Sequence, residues 1–335
     1  MQIFGKTFSK NELTKRIGDM SQLAGAVPFT YSDGKAKGTA AVEVKNGSGL
    51  RLVILPDRGM DIAYAEWRGT PISYISKTGI VSPAHYDEPD FLRSFSAGLL
   101  TTCGLTYMGA PCVDEGVSLG AHGRISNTPA YDVGVTQEWE GDDFVIRVRG
   151  KVKEAAVFGE HLVLTRVVTV KAGENAVYLH DEIENRGFES RPLMVLYHIN
   201  FGFPLVSESA VLETNCKNIR PRDAAAKPGL ADACRFSGPQ HAYREQVFYR
   251  DAEGDAYAAL RNPELGITAK IGFSGDELPY LIEWKQMGEQ EYVVGLEPAT
   301  YPPDGRAAAR EKGELLFLEP GAVKKQSVYF SFSDD

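Results

Sequence analysis

The sequence predicts a large all-β protein, built as two antiparallel sheets packed face to face, with one short N-terminal helix. Three observations carry that expectation. Apolar and polar residues alternate with a period of two over much of the chain, turn-forming pairs punctuate those runs at hairpin spacing, and no strand–helix–strand rhythm appears that would build a parallel sheet. A chain of 335 residues buries roughly three-quarters of the surface its unfolded form exposes, and packing two sheets against each other is the natural way to bury that much alternating surface.

In chain order, Ser9 and Glu12 have capping-box spacing, and Leu13, Ile17 and Met20 follow at helical intervals. They predict a helical extension over about residues 8–20. Residues 38–75 then read as short strands broken by "NGSG", "PDRG" and "RGTP". "SPAHYDEPDFLRSF" has room for a helical turn or two. In "DFVIRVRGKVK", Phe144, Ile146, Val148 and Val152 oppose Val145, Arg147, Arg149, Lys151 and Lys153, a half-exposed antiparallel strand. Two more strands flank the turn "AGEN", and the habit continues through "YLIEWKQMG", "EYVVGLEP" and "KKQSVYFSFS". The long segment Arg220 to Gln240 reads as an excursion over the surface or the site. Nothing is rich enough in Pro, Gly or Ser to divide the chain, so residues 1–335 are expected to form one domain.

Composition narrows the function. With 43% hydrophobic and 24% charged residues the chain has the balance of a soluble globular protein. A net charge of −9 argues against a nucleic-acid partner, which needs a basic face to displace counterions from phosphates. The N-terminus lacks a signal-like apolar core and no run approaches a membrane-spanning length, so the expected location is cytoplasmic, with no membrane partner. Cys103, Cys112, Cys216 and Cys234 form no CxxC pair and read as small buried hydrophobes rather than zinc ligands or disulfides.

Few ionisable residues stand in unusual settings. In "VLYHINFGFP", His198 interrupts an apolar strand, sharing a face with Met194, Leu196 and Asn200 while Leu193, Val195, Tyr197, Ile199 and Phe201 face the other way. A buried imidazole there is either a hydrogen-bonded core residue or a chemical group. His122 and Arg124 lie among glycines in "GAHGR", where a ligand or another backbone can approach closely. Glu297 ends a strand before a proline, beside open space or in an ordinary turn. Asp57 and Arg58 interrupt "LPDRGMDI" as a local turn pairing or a ligand contact. His180 and Glu182 share a strand face, a solvated face or a weak metal pair.

Together, "GAHGR", "LYHINFG" and "VGLEPA", in that order and at wide spacing, resemble the signature stretches of the aldose 1-epimerase (galactose mutarotase) family. "GLLTTCGL" and "PDRGMDI" look more like an uncharacterised branch of that superfamily than the galactose enzymes. The resemblance implies a galactose mutarotase-like twisted β-sandwich, with a sugar cleft on its concave face and neither metal nor cofactor. It implies that His198 is the general acid that protonates the ring oxygen and Glu297 the base for the anomeric hydroxyl. Ring opening itself, which takes a proton from one oxygen while another reaches the ring oxygen, then predicts the two on opposite sides of the sugar ring. His122 would hold and polarise the substrate, with Arg124, Arg58 and Asp57 as further contacts. Trp284 in "IEWKQMG" could stack on the sugar or sit in the core. The family's substrate-binding aspartate has no clear match; Asp223 in "RPRD" is a guess.

The expected activity is anomer interconversion of a sugar or sugar derivative by acid–base ring opening and closure, by a monomer or homodimer. Two other readings stay open. A glycoside hydrolase or lyase on a similar sandwich would need a second carboxylate facing Glu297, with Asp57 or Glu182 as candidates. A non-catalytic sugar-binding or sensing module would keep the cleft without turnover.

Overall fold

Alternation becomes architecture in the computed structural model, which describes residues 1–86 and 88–335. Among these, the long strands fall into an eight-stranded and a twelve-stranded antiparallel sheet, with two small hairpins outside them. One contiguous apolar core lies between the sheets and draws residues from both. The segments expected to turn do so: "NGSG" links Ala40–Lys45 to Leu50–Leu55, "PDRG" links the latter to Asp61–Trp67, and "AGEN" links His161–Lys171 to Ala176–Asn185.

The N-terminal helix is shorter than its apolar spacing suggests. Ser9 and Glu12 form the full capping box, but α1 spans only Lys10–Thr14, with Leu13 its one buried side chain. Gly18 and Asp19 interrupt the periodicity, and Asp19 caps a separate turn at Met20–Gln22. Five residues cannot sustain a longer helix without a packed apolar face. In "SPAHYDEPDFLRSF" the structure forms tight turns at Pro83–His85 and Glu88–Arg93; Asp87 in that stretch lies outside the described residues. Among the described residues, no helix is long and apolar enough to cross a membrane.

Five strands stand side by side in the larger sheet: β1 (Leu100–Leu105), β2 (Arg191–Gly202), β3 (Gln246–Asp251), β4 (Tyr280–Gly288) and β5 (Glu291–Ala299), in the spatial order β3-β4-β5-β2-β1. β2 is covered on both faces. Leu193, Val195, Tyr197, Ile199 and Phe201 enter the core between the sheets, whereas Met194 and Leu196 join a second apolar cluster on the outer face. That cluster is roofed in part by the short helix Arg306–Glu311, which Asp114 holds through Arg306 and Arg310.

A buried ionic knot joins the two sheets. The Arg166 guanidinium reaches Asp181 at 2.7 Å and Asp61 at 2.9 Å, and the Tyr197 hydroxyl donates to Asp181 at 2.8 Å. Arg166 is fully buried, so its charge is tolerated only because two carboxylates answer it. Asp61 also accepts hydrogen bonds from the Thr102 amide and hydroxyl. This ties β1 to the same knot.

Candidate active site

Strand register explains how two residues far apart in sequence meet. Between β2 and β5, Leu196 pairs with Ala299 and Ile199 with Leu296, which puts His198 across from Glu297. Side chains facing each other across an antiparallel ladder share one face of the sheet, here the outer face. His198 Nε2 and Glu297 Oε1 are 3.2 Å apart, and both residues are almost fully buried. The imidazole N–H is not aimed at the carboxylate: His198 Nδ1 and Glu297 Oε1 both lack a hydrogen-bond partner. Among the described residues, an imidazole and a carboxylate, each with one unpartnered polar atom, thus meet at the base of a cavity of about 480 Å³.

His122 enters the same cavity from the segment after the small hairpin Cys112–Asp114 and Val117–Leu119. Its ring lies 5.8 Å from that of His198. The glycine beside it serves a neighbouring backbone: a Cβ at Gly123 would stand 2.1 Å from the Gly104 carbonyl oxygen. Close contact with β1 therefore locks the loop and aims the histidine. Phe95 and Trp284 pack around His198, each with its ring centre 5.2 Å away, and form an aromatic wall.

Burial sets the protonation of the group. It pushes the Glu297 carboxyl well above the usual carboxylate range, with Glu245 adding to the rise and Arg222 opposing it. It lowers His198 to about 3, helped by neighbouring His122, and lowers His122 to about 4. Both members of the His198–Glu297 pair are thus driven toward their neutral forms.

Arg222 and Glu245 complete the cavity and were not singled out in the sequence. They bracket the excursion 222–245, whose ends meet through an Arg222–Glu245 ion pair of 2.9 Å. Glu245 also accepts a hydrogen bond from Trp284 Nε1 at 2.8 Å and so orients the indole. The excursion is pinned from below by Lys285, whose ammonium donates to the Asp232 and Arg235 carbonyls at 2.9 and 2.6 Å. The only sequence hint was a long, Arg-containing segment between strands.

Other expected contacts lie elsewhere. Arg58 is buried and donates to the Val81 and Ser94 carbonyls at 2.6 and 2.9 Å, bracing the chain where strand Leu50–Leu55 ends. Asp57 accepts from the Ala40 amide at 2.7 Å and closes a strand end. The Arg124 guanidinium lies 5.8 Å over the Tyr107 ring, and Arg124 is not among the described residues lining the cavity. Asp223 is not among the described lining residues; it accepts from the Ala225 and Ala226 amides and pairs with cavity-lining Arg222 at 3.1 Å. His180 and Glu182 lie on the eight-stranded sheet, where Glu182 pairs with Lys325 at 2.9 Å. Among the described residues, no group of three or more His, Cys, Asp or Glu side chains could hold a metal ion.

Comparison with known proteins agrees with this architecture. No curated protein matches the chain significantly. A Klebsiella pneumoniae protein described as a "putative aldose 1-epimerase" matches with a TM-score of 0.87 at 26% identity, over 94% of this chain and 86% of that one. A galactose mutarotase-like protein from Clostridium acetobutylicum matches at 0.66 and 14% identity, over 94% and 100% of the two chains. A galactose 1-epimerase from Lactobacillus acidophilus NCFM matches at 0.60 and 12%, over 93% and 99%; these two likenesses establish the fold. Residues 36–332 match DUF4432, a domain of unknown function. The chain therefore belongs to the DUF4432 family, an uncharacterised branch of the galactose mutarotase-like superfamily.

Proposed function

We propose that the chain interconverts the anomers of a sugar, with His198 and Glu297 as the acid–base pair. The observation that carries this reading is their 3.2 Å contact at the base of an aromatic-walled cavity. Ring opening removes the proton from the anomeric oxygen, breaks the bond between C1 and the ring oxygen, and delivers a proton to that ring oxygen, leaving a C1 aldehyde. Rotation about C1–C2 and the reverse steps close the other anomer. Both reacting oxygens are bonded to C1, so acid and base can act from the same side of the ring. The adjacent arrangement suits this better than the opposed one expected from the sequence.

The pair accepts one proton and gives one in each half-reaction, so its proton count is unchanged. Burial favours the resting form with the proton on Glu297 and a neutral His198. In that form the carboxyl is the acid toward the ring oxygen and the imidazole the base, the reverse of the family-implied roles. General acid–base assistance contributes about 10²–10⁴-fold, enough for a reaction that already proceeds in water. Arg222, Glu245 and His122 serve binding and orientation.

The hydrolase reading loses its expected partners, because Asp57 and Glu182 lie outside the cavity. Of the other carboxylates lining the cavity among the described residues, Glu245 is held at both oxygens by Arg222 and Trp284, and Asp90 pairs with Arg93 at 2.8 Å. The test is NMR anomer exchange on freshly dissolved single anomers of common hexoses and reducing disaccharides, with product analysis on the disaccharides. Accelerated exchange without cleavage is expected. Cleavage would point to a hydrolase, and binding without exchange to a sensing module.

A further inference from the structure

A second cavity of about 630 Å³ adjoins the first and shares Trp284, Phe95, Leu92 and Glu245 with it. Strand geometry relates the two. On β4, Ile282, Trp284 and Gln286 alternate onto one face; Ile282 lines the first cavity, Trp284 both and Gln286 the second. On β5, Glu297 lines the first and Glu291 the second, six residues earlier on the same face. Four residues of strand span about 13 Å, so the combined cleft is longer than one pyranose ring.

The lining of the second cavity favours a neutral, polyhydroxylated occupant over an anion. Its cations are mostly matched: Lys77 pairs with Glu291 at 2.6 Å and Arg93 with Asp90 at 2.8 Å, leaving Lys35 exposed at the rim. Tyr74 adds an aromatic face, and its amide donates to the Asn200 carbonyl at 3.1 Å, fixing it to the strand that carries His198. Among the described residues, the buried Gln286 amide oxygen has no hydrogen-bond partner. Leu92, 75% exposed, stands beside both cavities as an apolar surface with nothing packed over it. Aromatic faces, an uncommitted amide and self-neutralised charge pairs are what a sugar ring, apolar on its faces and polar at its edge, would meet.

We infer that the second cavity is a subsite for the second sugar unit of a reducing disaccharide, whose reducing ring occupies the His198–Glu297 cavity. This rests on the proposed anomer exchange at the first cavity and adds the substrate class. The experiment measures exchange kcat/KM by NMR for glucose, galactose, glucose 6-phosphate, maltose, cellobiose and lactose, with the wild type and with Tyr74→Ala and Gln286→Ala. Melting temperatures identify any variant that fails to fold.

At least one disaccharide is expected to exceed both monosaccharides, with the disaccharide-to-monosaccharide ratio falling about 5- to 10-fold in each variant. Monosaccharides turned over as well as every disaccharide, with a ratio that neither variant moves, would overturn the subsite and leave the anomer reading standing. A preference for the phosphorylated sugar would overturn it in favour of an anion site. If no sugar undergoes exchange, the reading of the first cavity fails. Titration of the same sugars then decides the subsite: tighter binding of a disaccharide, weakened in both variants, upholds it, and equal binding overturns it.

Discussion

Glu297 owes its position to a missing side chain. A Cβ at Gly295 would stand 2.3 Å from Glu297 Oε1 and 3.2 Å from Trp284 Cβ. The glycine thus leaves the volume that the carboxylate occupies. Gly295→Ala should push the carboxylate off its place beside His198, and a displacement of about 1 Å can cost about 10²-fold in rate. The expected outcome is a fall in kcat for anomer exchange larger than any change in melting temperature predicts. Retained kcat would mean that the carboxylate position does not matter. Protonation adds a second expectation at this scale. An ordinary histidine near 6.5 would put an inflection in the pH–rate profile close to neutrality. With His198 lowered to about 3, its own titration lies below that region. The kcat/KM profile between about pH 5 and 8 should therefore show no histidine step, and an inflection near 6.5 would contradict a buried, neutral His198.

At the scale of elements, β2 was the most legible part of the sequence. Its alternation separates core-facing Tyr197 and Ile199 from outward-facing His198, and the structure divides them in the same way. Period two depends only on local backbone geometry, which is why it can be read without coordinates. Arg222 and Glu245 were not legible, because tertiary contacts fix their places: the Lys285 clamp on two carbonyls and the Glu245 bond to Trp284. Asp57 and Arg58 misled for the opposite reason. A charged pair at a hairpin looks the same in sequence whether it meets a ligand or braces a neighbouring carbonyl. The Arg166 knot lies at this scale too. Asp181→Asn leaves buried Arg166 half-answered and should destabilise the fold by about 3–5 kcal/mol, read from the denaturant midpoint. A change below about 1 kcal/mol would show that Asp61 alone satisfies the guanidinium.

For the whole molecule, the buried histidines link stability to pH. His122 is lowered from 6.5 to about 4 in the folded state. Between those values the unfolded chain binds a proton that the folded chain does not. The contribution of His122 is therefore fully present above 6.5 and is lost as pH falls toward 4. Urea denaturation of the wild type and His122→Asn at several pH values should show the wild type losing stability relative to the variant over that window. Parallel curves would contradict a neutral, buried His122. The fold class was legible from alternation and turn chemistry because a sandwich repeats one local rule many times. The helix at the N-terminus was over-read, since apolar spacing alone cannot tell a continuous helix from two turns separated at Gly18 and Asp19.

Fold, cavity and protonation converge on His198 and Glu297 as one acid–base unit. The most direct measurement compares anomer-exchange rates of His198→Ala, Glu297→Gln and the double variant. If the two residues work as one unit, each single change costs about 10²–10⁴-fold and the double variant is no slower than the worse single one. Losses that multiply in the double variant would mean two independent groups and would contradict a single acid–base unit.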